Sequence, residues 1–505
     1  MGKEIDTFSV AKNLDEIKLE RLPGLIIDVC LADATKELSA AADMVLAGTA
    51  STPFETFAMP KKKFGPRPVT ISGTAARVAY RALVSHLADD LGPKSRDTPW
   101  EDFKGFGIKS EAHYVVKFDI ASFYEYIDHE VLASEVLSKT LNPESVKRLK
   151  NVLSSVAGGV RGLPQLSQAS DHLADVYIDP LQRRLIRDGF EIARYADDFT
   201  APCADWETAN VIVERAAEYA RNIGLVLSSE KTTISKRETL LAAEQSEAQF
   251  INEYFEAAAV ELSQVFLWGG YDDDITSETE GIDVSAAMMA TMWSLVHAWQ
   301  SKLVRVAPED SSREEGHFRA YLSSALGWLR GHKQRLSDDI LREIVFKHPL
   351  LLVSVCGYVK ARALGFEAST YTWRTMQSLV AMGRQSAWAK LWLLDTVTAL
   401  PVDDGVKYFS EPYDHVVNWV DQQLSDRHEI VRAQAAWCAA SHDRLDESRL
   451  IDLYVKATPI SQAALAAAAG MQGGLSKAKT EAITGDGPMI RKAYQWGERQ
   501  RPQQG

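Results

Sequence analysis

The stretch that most constrains this chain is Arg194-Tyr195-Ala196-Asp197-Asp198-Phe199-Thr200. Two adjacent carboxylates lie between short apolar runs, which is the pattern of a tight strand–turn–strand. Taken alone, two acids in a turn are usually only a solvated hairpin. A third acid changes the reading. Tyr114-Val115-Val116-Lys117-Phe118-Asp119-Ile120 is a β-rich run that ends in Asp119, with Phe123 and Tyr124 just behind. Two acids on a hairpin and one at a neighbouring strand end can hold a pair of divalent ions. Two such ions, about 3.5–4 Å apart, clamp the attacking and leaving oxygens of a phosphoryl transfer.

Four further stretches fall in order around these acids. Met59 to Arg81 carries Lys61, Lys62, Lys63, Arg67, Arg77 and Arg81 and no acid, and Pro60, Gly65, Pro66 and Pro68 exclude helix from its first half. Val69-Thr70-Ile71 suits a strand, and a helix from Thr74 would align Arg77 with Arg81. In an acidic chain this run suggests phosphate binding, although a basic run is more often a solvated face. Gly158-Gly159-Val160-Arg161-Gly162-Leu163-Pro164-Gln165 precedes a helical pattern from Ser167 to Leu185. Asp205 suits an N-cap for a helix from Trp206 to Ile223 that Gly224 stops. Leu225–Leu227 and Thr232–Ile234 read as short strands around Ser229-Glu230-Lys231.

Together these stretches resemble the reverse transcriptase family. Asp119 and Tyr195-Ala196-Asp197-Asp198 are similar to its motifs A and C. Gly162-Leu163-Pro164-Gln165 resembles motif B, and Leu225 to Lys231-Thr232 resembles motif D. Lys61 to Val69 resembles the fingers hairpin. The resemblance implies that Asp119, Asp197 and Asp198, with the Ile120 carbonyl, hold two Mg²⁺ ions, Mn²⁺ being a possible substitute. It implies that Arg67 and one lysine of the trio, Lys63, grip the triphosphate. Gln165 would contact the incoming nucleotide near its sugar, and Tyr124 would exclude a 2′-hydroxyl and so select dNTPs. Lys231 would protonate the departing pyrophosphate, the alternative being a surface lysine in a turn. Phe123, Tyr124 and Tyr126 are also natural core aromatics. Motif B departs from its usual form at Leu166, where glycine is usual, at Asp171 in place of proline, and at Asp175 in place of asparagine.

The expected fold is an α+β right-hand polymerase, fingers and palm, followed by an all-α HEAT-like repeat domain. Residues 1–50 form an N-terminal helical extension, in which Asp33 would cap a helix over Ala34–Leu46. Residues 51–112 are fingers, 113–238 palm, and 239–284 a helical connector with an acidic linker (Asp272-Asp273-Asp274, Glu278, Glu280, Asp283). Residues 285–505 are the helical repeats, with amphipathic runs at Ile340–Val359, Ser386–Leu400, Glu429–Ala440 and Ser461–Ala469. A spacing of roughly 40 residues suits helix pairs that bury a face only against neighbours. The end of the chain, Glu498–Gly505, is expected to fray.

Charge and cysteines narrow the setting. The net charge of −13 means that any attraction for nucleic acid must be local. Cys30, Cys203, Cys356 and Cys438 lie far apart, which argues against a disulfide framework or cysteine zinc site and fits a reducing cytoplasm. The polar start reads as no signal peptide, position 6 is Asp rather than the Ser or Thr of a myristoylation signal, and no apolar run reaches the ~20 residues of a membrane helix.

A polymerase followed by helical repeats resembles the bacterial defence-associated, abortive-infection reverse transcriptases. No Cys/His-rich endonuclease tail, Asn-Ala-x-x-His string or RNase H acid cluster points to another branch. The resemblance implies a cytoplasmic antiphage enzyme and DNA synthesis on a small noncoding RNA or without a template. It also implies a product sometimes attached to a tyrosine, and trimers or hexamers. Among 16 tyrosines no primer stands out; Tyr271 and Tyr494 fall in stretches expected to be mobile. Two rival readings are untemplated terminal addition, and a vestigial palm serving an RNA-binding helical scaffold.

Overall fold

The computed structural model describes residues 4–50, 53–61, 65–268, 284–303, 312–365, 369–402, 406 and 411–501. The acidic linker and Tyr271 lie outside them. Contacts divide the chain into two units, one of residues 1–59, 67–241 and 421–505, the other of residues 60–66 and 242–420.

The first unit is built on a four-stranded antiparallel sheet of order β4-β5-β3-β6: β3 Tyr114–Asp119, β4 Ala193–Tyr195, β5 Asp198–Cys203 and β6 Thr233–Lys236. β3 pairs on both edges, so its backbone groups are satisfied within the sheet, and its Val115, Val116 and Phe118 side chains are buried. Phe118 stacks on Phe199 of β5, ring centroids 4.7 Å apart. The Trp206–Asn222 helix packs Ala209, Ile212, Ala216 and Ala220 inward, and Asp205 caps it by accepting from the Thr208 amide at 2.7 Å. Gly224, at φ +76°, ends that run. The Gln168–Arg187 helix and the Trp100–Lys109 helix complete an α+β core.

A separate two-stranded hairpin, β1 Phe54–Met59 with β2 Arg67–Ser72, closes at Met59 opposite Arg67. Beyond it, Arg77 and Arg81 do lie on one face of the Thr74–Leu91 helix, but they are not phosphate ligands. The Arg77 guanidinium is buried and forks onto Asp28, Nη1 to Oδ2 at 2.9 Å. Arg81 reaches Glu16 at 3.3 Å. The N-terminal segment therefore takes up two of the six cations of the basic run. Asp33 does not cap the next helix, Thr35–Leu46, whose N-cap is Ala34; it pairs with Arg499 instead.

That pairing belongs to a wider departure from the expected division at 285. Residues 421–505 group with the unit built on the four-stranded sheet. Glu55 of β1 accepts the amides of Glu429 and Ile430 at 2.9 and 3.0 Å, placing a carboxylate at the start of the Glu429–Ser441 helix, where the helix dipole favours it. Buried Gln434 accepts the Ile26 amide at 3.1 Å. The Gln462–Gln472 and Pro488–Gln500 helices touch backbone to backbone. A Cβ on Gly470 would lie 2.1 Å from the Tyr494 carbonyl, and one on Gly497 2.0 Å from that of Ala467. Overpacking of this kind costs typically ~1–3 kcal/mol, so Gly470→Ala should lower urea stability by about that amount. Of the stretch expected to fray, Glu498–Arg501 is anchored, Arg501 donating Nε to the Gly470 carbonyl at 2.9 Å, and residues 502–505 lie outside the described residues. Tyr494 is buried, which removes it as an accessible primer.

The secondary-structure elements of the second unit, among its described residues, are all helices. Phe250 and Tyr254 meet Phe318, and Trp299, Trp373 and Trp388 are fully buried. The run expected over Ile340–Val359 is two helices, Asp338–Lys347 and Leu352–Gly365, because Pro349 has no amide to continue the first. Among the described residues no helix is long and apolar enough to cross a membrane.

Candidate active site

The sheet register brings the acids together. Asp119, the last residue of β3, stands directly opposite Asp198, the first of β5. Tyr195 of β4 also pairs with Asp198, so Ala196 and Asp197 form a two-residue turn. Ala196 sits at φ +54°, a conformation that costs a residue with a Cβ about 1 kcal/mol or more and is found where surroundings enforce it.

The enforcement is visible. The Ala196 amide donates to Ser95 Oγ at 2.9 Å, and its carbonyl accepts from Arg194 Nη1 at 3.1 Å. Ser95 Oγ donates to Asp175 Oδ1 at 2.7 Å, and its amide to Asp175 Oδ2 at 2.9 Å. Arg194 also pairs with Asp175 and donates Nε to Gln182 at 2.8 Å. Tyr195 lies against Trp100 and Phe103, with centroids 5.0 and 5.8 Å away. Asp175, noted only as a departure from the motif, is thus the anchor of the turn.

Asp119 is 4% exposed. Its Oδ2 pairs with the Lys231 ammonium, and its Oδ1 is buried without a hydrogen-bond partner. Burial, then the neighbouring Asp119 carboxylate, pushes the Asp197 carboxyl up to about 7. Burial and the charge of Asp197 raise Asp198 as well. Burial works against the Lys231 ammonium, but its bond to Asp119 outweighs this and holds it above the usual lysine range. A cation therefore already sits on Asp119, and it is the lysine. Among the described residues no group of three acid, His or Cys side chains is drawn into ready metal-ligating geometry. The donor set nonetheless fits a hard divalent cation: three carboxylates, two of them resisting ionisation through burial and the charge of a neighbouring carboxylate, and one orphaned buried oxygen. Ile120 is buried between the Ala121 amide, which donates to Val226, and the Asp119 carbonyl, which accepts from Ser228 at 2.7 Å.

The expected nucleotide residues border this group. Arg67 opens β2, half buried, with Nε unpartnered. Burial and the nearby Arg21 lower its pKa, opposed by the charge of Asp197. Lys63 lies outside the described residues. Gln165 is buried in the loop before the Gln168–Arg187 helix. Leu166 takes φ +67°, in the left-handed region that favours glycine, and its carbonyl accepts the Glu20 amide at 2.9 Å. Its side chain is 8% exposed. Deleting a buried leucine costs roughly 2–5 kcal/mol, whereas relief of the strain returns only about 1–3. Leu166→Gly is therefore expected to destabilise by about 2 kcal/mol in urea titration, not to improve the loop.

Pattern reading missed Arg96. It lies in the short 3-10 turn Ser95–Asp97, and its Nη1 donates to Asp171 Oδ2 at 2.6 Å, while the Tyr124 phenol donates to Asp171 Oδ1 at 2.6 Å. The one signal was the carboxylate at 171 where a proline is usual.

Residues 59–251 match the family "Reverse transcriptase (RNA-dependent DNA polymerase)". The chain carries a reverse transcriptase domain. No curated protein matches the chain in sequence. Among solved structures, telomerase from Candida albicans, in complex with a fragment of telomeric RNA, is similar at 11% identity and a TM-score of 0.29. The match covers 78% of this chain and 65% of that one, less than two thirds of its length.

Proposed function

We propose that this protein is an RNA-directed DNA polymerase that builds DNA from dNTPs with Mg²⁺. The observation that carries the reading is the pairing of Asp119 with Asp198 beside Asp197, with one buried Asp119 oxygen left unpartnered. Asp119, Asp197 and Asp198, with the Ile120 carbonyl, would hold the metal ions, which when bound stabilise charge on the attacking and leaving oxygens.

The chain's own groups do the rest. Arg67 and Lys63 neutralise the triphosphate as charge builds on the leaving pyrophosphate. Gln165 and Tyr124 orient the sugar, and the bond from Ser95 to the Ala196 amide keeps the turn acids aimed at it. Lys231, freed from Asp119, is the general acid for the pyrophosphate.

The finer reading is a bacterial, cytoplasmic antiphage enzyme templated by a noncoding RNA, active as a homo-oligomer. What supports it is the helical region that follows the palm. Untemplated synthesis, with a tyrosine as primer, remains the second reading, but Leu166 favours it less than its bulk suggests, since the loop keeps a backbone conformation that favours glycine.

The test is extension of a DNA primer on a defined RNA by the purified protein, followed by sequencing of the product. Complementary DNA is the expected result. Non-complementary DNA selects the second reading, and no incorporation by folded protein with either Mg²⁺ or Mn²⁺ rejects both.

A further inference from the structure

We propose that Asp171 is a specificity-determining positioning residue: it clamps the Tyr124 phenol, with Arg96 as its counter-ion, and so sets how sharply the site rejects a 2′-hydroxyl. This rests on the reading of Tyr124 as the residue beneath the incoming sugar.

Tyr124 has little to hold it locally. It lies on a single-turn helix, Phe123–Tyr126, that begins after Ser122 at φ +47°. Its carbonyl accepts the Leu163 amide at 2.8 Å, which fixes the backbone but not the ring. Phe123 touches the ring edge-on, centroids 5.4 Å apart. At the far end of the ring, the phenol donates a 2.6 Å bond to Asp171. An O–H to carboxylate bond is among the stronger hydrogen bonds, and more so where water is scarce.

Asp171 is itself well placed to hold. It lies in the first turn of the twenty-residue Gln168–Arg187 helix, its amide bonded to Ser167 at 3.1 Å, and its side chain is 13% exposed. Its second oxygen is occupied by Arg96 at 2.6 Å. The arginine serves a second purpose: a bare carboxylate beside a triphosphate would repel it, and the guanidinium cancels that charge. A proline at 171 could make neither bond.

Rejection of one oxygen atom depends on stiffness. Ribose and deoxyribose differ by a single hydroxyl, and a ring that can turn to a neighbouring rotamer accommodates it at small cost. A ring pinned at both ends cannot yield without breaking the Asp171 bond. The clamp therefore makes the clash count.

The experiment is the ratio of kcat/KM for a dNTP over the matching rNTP, on protein shown to be folded by its melting curve. Asp171→Ala and Tyr124→Phe are each expected to lower the ratio about tenfold, the scale of losing one such bond at a specificity site. The double variant should lose no more than either single one. Asp171→Asn keeps an acceptor for the phenol and should retain most of the ratio, which a merely structural role for Asp171 would not predict. Should Asp171→Ala not fold, Tyr124→Phe carries the test. Wild-type ratios in both, with the ratio lost in Tyr124→Ala, overturn the clamp and leave the gate standing; so do multiplying losses in the double variant. An unchanged ratio in Tyr124→Ala overturns the gate itself.

Discussion

Asp119→Asn is expected to reduce DNA synthesis by roughly 10³-fold or more while making the metal-free protein more stable. The loss follows from position. Asp119 is the acid that faces both turn carboxylates, opposite Asp198 in register and beside Asp197. Asparagine keeps its size but supplies one neutral oxygen in place of a charge. Removing a single preorganised electrostatic contact from an active site costs about 10²–10³ in rate, and on the proposed function Asp119, as a ligand shared by metal ions, belongs at or beyond the top of that range.

The gain in stability comes from the same crowding. Asp197 is pushed up to about 7 by burial and then by the charge of Asp119. A carboxyl whose folded pKa is raised contributes stability that is complete below its unfolded value and lost as pH climbs through the folded one. Metal-free wild type should therefore weaken between about pH 4 and 7, and neutralising Asp119 lifts part of that penalty. The Lys231 pair lost in exchange is worth little, because that side chain is 63% exposed. Melting temperatures without metal should favour Asp119→Asn by ~1–1.5 °C at pH 8, about 1 kcal/mol, and by less at pH 5. Saturating Mg²⁺ should reverse the order, since wild type gains more from the ion. Full polymerisation by this variant would remove Asp119 from the mechanism.

What the sequence made legible was local. The Asp205 cap, the Gly224 stop and the Tyr195–Asp198 turn each depend on residues a few positions apart, and the structure forms all three. The juxtaposition of Asp119 with that turn was readable because strand ends and hairpin turns have few places to go in a small antiparallel sheet. Partner choice over long range was not readable. Nothing around Arg77 says that Asp28, 49 residues away, will claim its guanidinium. Nothing around Glu55 says that it will receive the start of a helix 374 residues later. The same holds within the site, where Ser95 and Arg96 come from a short turn without periodicity and meet acids on the Gln168–Arg187 helix.

The second large effect is expected at Asp175, far from any bond being made. Asp175→Ala should destabilise the protein by about 3–5 kcal/mol, the usual result of stripping one partner from a buried ion pair. Its side chain is 9% exposed and that of Arg194 7%, so the arginine would be left charged in a site that water scarcely reaches. Ser95 would lose the acceptor of both its amide and its hydroxyl. The effect then passes to the turn, because Ser95 holds the Ala196 amide and Arg194 its carbonyl, and without them the left-handed Ala196 has nothing to keep it there. Asp175→Asn, which retains an acceptor, should lose less. Pairing Asp175→Leu with Arg194→Met separates the two roles: burial of apolar groups should restore much of the stability in urea titration, while kcat stays low because the turn is no longer held. A double variant that recovers both would show that the pair serves the fold alone, and a loss below about 1 kcal/mol in Asp175→Ala would show that the pair is as weak as a surface bridge.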